Sequence, residues 1–253
     1  MAGILSLTLT ATAAQASRNA VFSLIKGEEA NRDLDLIFKR QRCLRNAIPH
    51  ATYDEVVFHE GGLSRDAAES LRKAGVHVKD ARDFGGFAQI DSPVSEGYSV
   101  GYHHMCDFMS LRWAEALAGY DYAMRVDEDV CLLSGFSGIY SDPFEMLKRK
   151  HAVYAYGLET TEKHKQTVET FTPFVKEYAA RHEVSKEIDA TKIFFTNFFV
   201  SSTAFWRQPE VRAFLKEVEA SGRIYSDRWG DAPIQVRLFE PCFHALHLSH
   251  SAS

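Results

Sequence analysis

The chain has 253 residues, 45% of them hydrophobic and 12% aromatic, with 29 basic and 34 acidic side chains giving a formal charge of −5. That composition fills one sizeable core and argues against a disordered chain. The charges are interspersed with no basic block or stripe, which argues against nucleic acid or an anionic membrane as a partner.

Residues 1–17 read as a leader or a frayed terminus. Ala14-Gln-Ala16 looks like a signal-peptidase site, yet no Lys or Arg precedes Ser17. The apolar stretch there is too short to span a membrane. Residues 18–253 read as a single α/β domain, because strands and helices alternate without a linker or repeat. Asn19–Ile25 is the first buried strand, closed by Lys26-Gly27, and a polar helix is expected from Glu28 to Asn46. Tyr53–Phe58 is a second strand, ended by His59-Glu-Gly-Gly62. Ser64–Lys73 is a helix with Ser64 as N-cap. Val76–Val78 is a weak third strand, followed by a loop over 80–98. A helix over Val100–Leu117 then leads into the strand Tyr120–Val126. Asp142 and Pro143 open a short helix ending near Lys148. Ala152–Tyr156 is a strand, 160–182 is helical and 183–192 is a charged loop. Phe194–Phe205 reads as one buried strand. A helix over Gln208–Ala220 is followed by a last one starting near Asp231-Ala-Pro233.

The strand Tyr120–Val126 runs into Asp127-Glu128-Asp129. Residues two apart on a strand share a side, so Asp127 and Asp129 can share one cation while Glu128 faces away. Hard oxygen ligands suit Mn²⁺ or Mg²⁺, and substrate phosphates usually complete such a site. The plainer reading of the same acids is a solvated turn. Arg125 lies on the side of Asp127 and either orients it, meets a phosphate or forms a structural ion pair. In open α/β sheets ligands bind beyond the carboxyl ends of the strands, where this motif lies. No glycine-rich phosphate loop is present. The four cysteines, Cys43, Cys106, Cys131 and Cys242, form no Cys-x-x-Cys pair and are compatible with two disulfides or with four buried thiols.

Four segments in chain order resemble the fungal-type α-1,2-mannosyltransferases of glycosyltransferase family 15. Tyr225-Ser-Asp-Arg-Trp-Gly-Asp-Ala-Pro-Ile234 is similar to that family's Tyr-Glu-Arg-Trp-Gly-Asp-Ala-Pro-Val block, and Tyr102-His-His-Met-Cys-Asp-Phe108 to its Tyr-Arg-His-Met-Cys-Arg-Phe. Arg125-Val126 followed by Asp127-Glu-Asp129 stands where the family has Glu-Pro-Asp. Thr196-Asn-Phe198 with Phe205-Trp-Arg207 resembles Ser-Asn-Phe and Phe-Phe-Arg.

The resemblance implies a GT-A-like, Rossmann-like fold with a mixed central sheet flanked by helices. It implies GDP-mannose as donor, a mannoside or glycoprotein glycan as acceptor, Mn²⁺ (or Mg²⁺) as cofactor, retention at the anomeric carbon, and a Golgi setting. It assigns the metal to Asp127, Asp129 and a C-terminal histidine, His250 fitting best with His247 beside it. Tyr102 would reach the donor, and Asp231 would bind an acceptor hydroxyl or cap a helix, with Trp229 stacking on the sugar. Arg228 belongs to the same block. Lys26 is a candidate for the diphosphate and Asn197 for a sugar contact. One departure stands out. The family places a glutamate after Asn-Phe, where this chain has Phe199. Glu159 or Glu162 are candidate replacements. Otherwise attack proceeds on the same face without an enzymic nucleophile, the chain binds without turnover, or it uses another donor sugar.

Overall fold

The computed structural model describes residues 17–85, 87, 97–132, 142–182 and 191–238, together with the backbone of 239 and 245–247. Seven strands form one mixed sheet: β1 Asn19–Ile25, β2 Asp54–His59, β3 Val76–Asp80, β4 Tyr122–Val126, β5 Tyr154–Tyr156, β8 Phe198–Ser202 and β9 Ala245–His247, in the spatial order β3-β2-β1-β4-β8-β5-β9. A separate antiparallel pair is made by β6 Glu159–Thr161 and β7 Lys192–Phe194. β3, β2, β1 and β4 run parallel, and β8 is antiparallel to both β4 and β5. The chain leaves β1 toward β2 on one side and returns to β4 on the other. That reversal opens a crevice at the carboxyl ends of β1 and β4.

β1 is buried along its whole length, as a central parallel strand with both faces covered should be. On one face Phe22 stacks on Trp113 at 5.2 Å, and Trp113 in turn meets Phe199 and Trp206. On the other face Val21, Met124, Val126 and Val200 pack with Leu44 of the helix Asp35–Ala47. Cys43 on that helix is disulfide-bonded to Cys131, Cys106 is a buried thiol, and Cys242 lies outside the described residues. The bonding is thus neither of the two arrangements the composition suggested. Gly27 sits so close to the loop after β2 that a Cβ there would lie 2.0 Å from the Gly61 carbonyl oxygen. Among the described residues no helix is long and apolar enough to cross a membrane.

Several expected elements are divided. The helix expected over 28–46 is a short turn, Gly27–Ala30, and a helix, Asp35–Ala47. Asn31 breaks it by binding across to Gly62 and Ser64. The apolar run Phe194–Phe205 is three pieces, β7, β8 and the turn Thr203–Trp206. Residues 159–161 are not helical but pair with β7, and the following helix begins at Lys165 behind the His164 cap. The helix from Val100 continues to Ala116 through a wide π turn at Phe108–Arg112. Of the leader expected over residues 1–17, residues 1–16 lie outside the described residues.

Candidate active site

A cavity of about 360 Å³ opens at the carboxyl ends of β1, β2 and β4. Ile25, Lys26, Glu60, Tyr102, Asp127 and Asp129 are among its lining residues. Its floor is organised by Arg125, the charged residue of an otherwise apolar-leaning strand, only 4% exposed. Its Nε and one Nη donate to the two carboxylate oxygens of Asp127 at 2.7 and 3.1 Å. The other Nη donates to Asp231 Oδ2 at 2.5 Å. A planar guanidinium suits such two-sided recognition. Burial opposes its charge, but Asp127 and Asp231 together outweigh burial and raise its affinity for the proton above the ordinary value.

The acidic triplet is a turn rather than extended chain. The Asp127 amide donates to the Asn197 carbonyl at 3.1 Å, and the Val130 amide returns to the Asp127 carbonyl at 3.0 Å. Strand alternation therefore stops at Asp127, and Glu128 joins its two neighbours in lining the cavity instead of facing away. Burial pushes the Asp127 and Glu128 carboxyls up, with mutual repulsion adding to it, and Arg125 pulls Asp127 back down. Asp129 is exposed at the mouth.

This donor set fits a hard divalent cation. Each Asp127 oxygen keeps a second lone pair beyond the one Arg125 uses. Asp129 adds a further carboxylate, and the acids lining the cavity, Glu60, Asp127, Glu128 and Asp129, outnumber its cations Lys26 and Arg125. Among the described residues no three His, Cys, Asp or Glu side chains converge as a ready-made site. The remaining positions would fall to phosphate and water, as is usual for such ions. His250 and His244 lie outside the described residues, and His247 is described only as backbone on β9.

The other expected residues divide. Lys26 is at the rim, ion-paired with Glu29 at 2.9 Å. Tyr102 lines the cavity, its ring 4.7 Å from Tyr98, and Arg228 lies over both rings at 5.4 and 4.6 Å. Burial raises the Tyr102 hydroxyl well above the ordinary phenol value, so it is a proton donor throughout the neutral range. Arg228 also faces Glu162 at 3.4 Å, and its backbone is left-handed at φ 54°. A non-glycine residue pays about 1–2 kcal/mol for that conformation, a cost tolerated where the surroundings fix it. Asn197 lies in the turn before β8, not within a strand, and meets the acidic turn through its carbonyl.

Three assignments are corrected. Trp229 is fully buried, its indole N–H given to Thr170 at 2.8 Å and its ring packed on Phe171 and Phe174. It presents no face to a sugar. Asp231 is not the helix cap: Gly230 takes that place, its carbonyl accepting from Ile234, and the Asp231 carboxylate turns to Arg125. Glu159 is on the exposed β6, bonded to Lys192 and to the Tyr156 hydroxyl, and does not line the cavity. Phe199 is 0% exposed and pairs with Arg125 across β4 and β8. Its ring lies 5.2 Å from Tyr154 and 6.0 Å from Phe22.

Two residues went unread in the sequence. Glu60 lines the cavity, 3.8 Å from His104 Nδ1. Its signal was an acid at the end of the strand next to β1. Arg40 is buried beneath the sheet, and its signal was an arginine on the apolar stripe Ile37, Gln41, Leu44.

Comparison with known proteins agrees with this geometry. The family described as Glycolipid 2-alpha-mannosyltransferase matches residues 87–239. Glycolipid 2-alpha-mannosyltransferase 1 of Candida albicans is 32% identical over 154 residues, covering 54% of this chain and 35% of the relative. The chain thus spans about a third of that relative's length. Among solved structures, the mannosyltransferase Ktr4p of S. cerevisiae superposes with a TM-score of 0.75 at 19% identity, over 90% of this chain and 68% of that one. Core-mannan synthase A of Aspergillus fumigatus, in a Mn/GDP form, gives 0.67 at 16% identity, over 92% and 72%. Both share the GT-A glycosyltransferase fold with this chain. With the acidic turn, the Arg125 bridge and the Arg228–Pro233 block in one domain, the chain belongs to the glycolipid 2-alpha-mannosyltransferase family, glycosyltransferase family 15.

Proposed function

We propose that this chain transfers mannose from GDP-mannose to a mannoside or glycan acceptor, with retention and with a divalent cation, Mn²⁺ or Mg²⁺, held by Asp127 and Asp129. The observation that carries the reading is the bridge Asp127–Arg125–Asp231, which ties the acidic turn lining the cavity to the family's most specific block packed behind it. The Mn/GDP form of the Aspergillus relative supports the choice of cation and nucleotide. When bound, the cation would neutralise charge developing on the departing diphosphate.

The protein's own groups do the rest. Arg125 holds Asp127 in one orientation, so the carboxylate is placed before any ligand arrives. Lys26 stands at the rim as a cation for the diphosphate, because its partner Glu29 is exposed and easily released. Tyr102 is part of the cavity wall, its hydroxyl kept protonated by burial and hydrogen-bonded with the buried Cys106 thiol, so its ring is the surface it offers a ligand. Phe199 cannot attack an anomeric carbon, and Glu159 is elsewhere. Retention then follows from attack on the departing side, with the leaving phosphate taking the acceptor's proton. The setting we infer is the secretory-pathway lumen, which the Cys43–Cys131 disulfide suits.

The test incubates the protein with Mn²⁺ and a panel of nucleotide sugars and measures nucleoside diphosphate release, with and without mannoside acceptors. Release from GDP-mannose alone supports the proposal. Asp129→Ala should remove metal-dependent release while leaving the circular dichroism spectrum unchanged, and surviving activity would mean the cation lies elsewhere. The second reading, a relative that binds sugar nucleotide without turnover, is favoured by Phe199 and would show as tight GDP-mannose binding with no release.

A further inference from the structure

The helix Asp35–Ala47 carries no residue of the cleft, yet it grips the acidic turn at both ends. Arg40, with a fully buried side chain, lies beneath β1 and reaches the two strands beside it. It pairs with Glu55 on β2 and donates to Ser23 on β1. It also donates to the carbonyl of Val126 on β4 at 3.1 Å. Val126 is the residue before Asp127. One helical turn further on, Cys43 is bonded to Cys131, two residues after Asp129, with the Cα atoms 5.4 Å apart. Positions three apart share a helix face, so both attachments leave the helix on one side. Only residues 127–130 lie between the two anchored positions.

We infer that Arg40 and the Cys43–Cys131 disulfide form a brace that fixes the conformation of the Asp127–Asp129 turn, and that through it they set the affinity of the cation site. Neither touches the cleft, so both are positioning groups. The chemistry supports the assignment. A turn of four residues, three of them acids and none fully buried, has little apolar packing of its own, and like charges push it open. Carboxylate ligands need orientation by outer partners, whose loss costs about 10–100-fold in metal affinity. A buried guanidinium bonded to a main-chain carbonyl and a covalent tie supply rigidity from outside the cleft, leaving the carboxylate oxygens free for a ligand.

The experiment compares the wild-type full chain with C43S/C131S and R40K. Lysine keeps a charge for Glu55 but cannot span to Ser23 and Val126 as the guanidinium fork does. F214L serves as a control that loosens packing on a remote helix, where Phe214 meets Phe174 and Tyr178. Hydrogen exchange at the amides of Asp127 and Val130, which are bonded to the Asn197 and Asp127 carbonyls, measured without metal or nucleotide, should quicken at least tenfold in both brace variants and not in F214L at a temperature equally far below its midpoint. Unchanged exchange there overturns the brace. Free Mn²⁺ is then followed by electron paramagnetic resonance in the presence of GDP. The brace variants should bind about tenfold more weakly. Wild-type and variant affinities within twofold of each other overturn the link to the cation. This second half rests on the proposed function, and a wild-type chain that takes up no Mn²⁺ overturns that function while the exchange result judges the brace alone.

Discussion

Each face of β4 meets a buried arginine, one its own and one from the helix Asp35–Ala47, and the two do different work. On the aromatic face Arg125 binds two carboxylates, Asp127 in the cleft wall and the buried Asp231 behind it. On the aliphatic face Arg40 binds a carboxylate on another strand, a hydroxyl and a main-chain carbonyl. The first arginine sets the charge of the site, and the second sets the shape of the turn that bears it. Electrostatics and geometry are thus supplied from opposite sides of one strand, and each should be separable from the other by mutation.

The largest effect expected is at Arg125. Arg125→Met leaves two carboxylates without their partner and should cost about 3–5 kcal/mol in urea unfolding. Adding Asp231→Asn should return part of that loss, because one uncompensated charge is gone. No recovery would mean that packing, not charge, governs this face. Phe199→Glu should be comparably harmful, about 3–5 kcal/mol, since it empties an aromatic hub and buries an acid in its place. A stable variant with faster sugar transfer would show that this face still accommodates the family's glutamate. On the opposite face, removing the disulfide with C43S/C131S should cost about 2–4 kcal/mol, because it closes a loop of 88 residues. Calorimetry of the pair beside Arg125→Met ranks the two faces directly. Asp142→Ala, which strips the cap from the helix Pro143–Lys150, should cost only about 1 kcal/mol by the same measurement.

The smallest effect is with pH. Burial lowers the affinity of His59 and His103 for the proton below the ordinary value of 6.5, and the His103 Nδ1 lies 2.8 Å from the Ile224 carbonyl. The unfolded chain therefore takes up these protons first. Stability should fall as the pH drops below 6.5, and remain level above it as far as these groups decide. His103→Asn, which keeps a donor for Ile224, should flatten its share of the slope in urea midpoints measured across that range.

The alternation of buried strands was legible where each strand is buried on its own account, as β1, β2 and β4 are. It failed where a long-range partner decides. Glu159–Thr161 carries no strong strand signal and becomes one only by pairing with Lys192–Phe194. The run from Phe194 hid its turn because Phe195 is apolar yet 47% exposed. The acidic turn could be found from its spacing. Arg40 and Glu60 left only a position in the pattern, an arginine on a buried helix stripe and an acid at a strand end, because their roles arise from strands brought together by the fold. Trp229 misled for the opposite reason. A tryptophan in a motif block suggests a sugar platform, but here its indole belongs to the core beneath Asp231 and its neighbours. The disulfide, too, joins residues that nothing in their local sequence relates.

Where Gly27 meets the Gly61 carbonyl, two loops abut main chain to main chain. Those two glycines have no side chain to exchange and no slack between them, so beside Lys26 and Glu60 they form a fixed jamb. Descendants of this chain that acquire new donors would have to be carved from the facing wall, at Ser99, Tyr102 and Met105, where each codon still offers a choice of size and polarity.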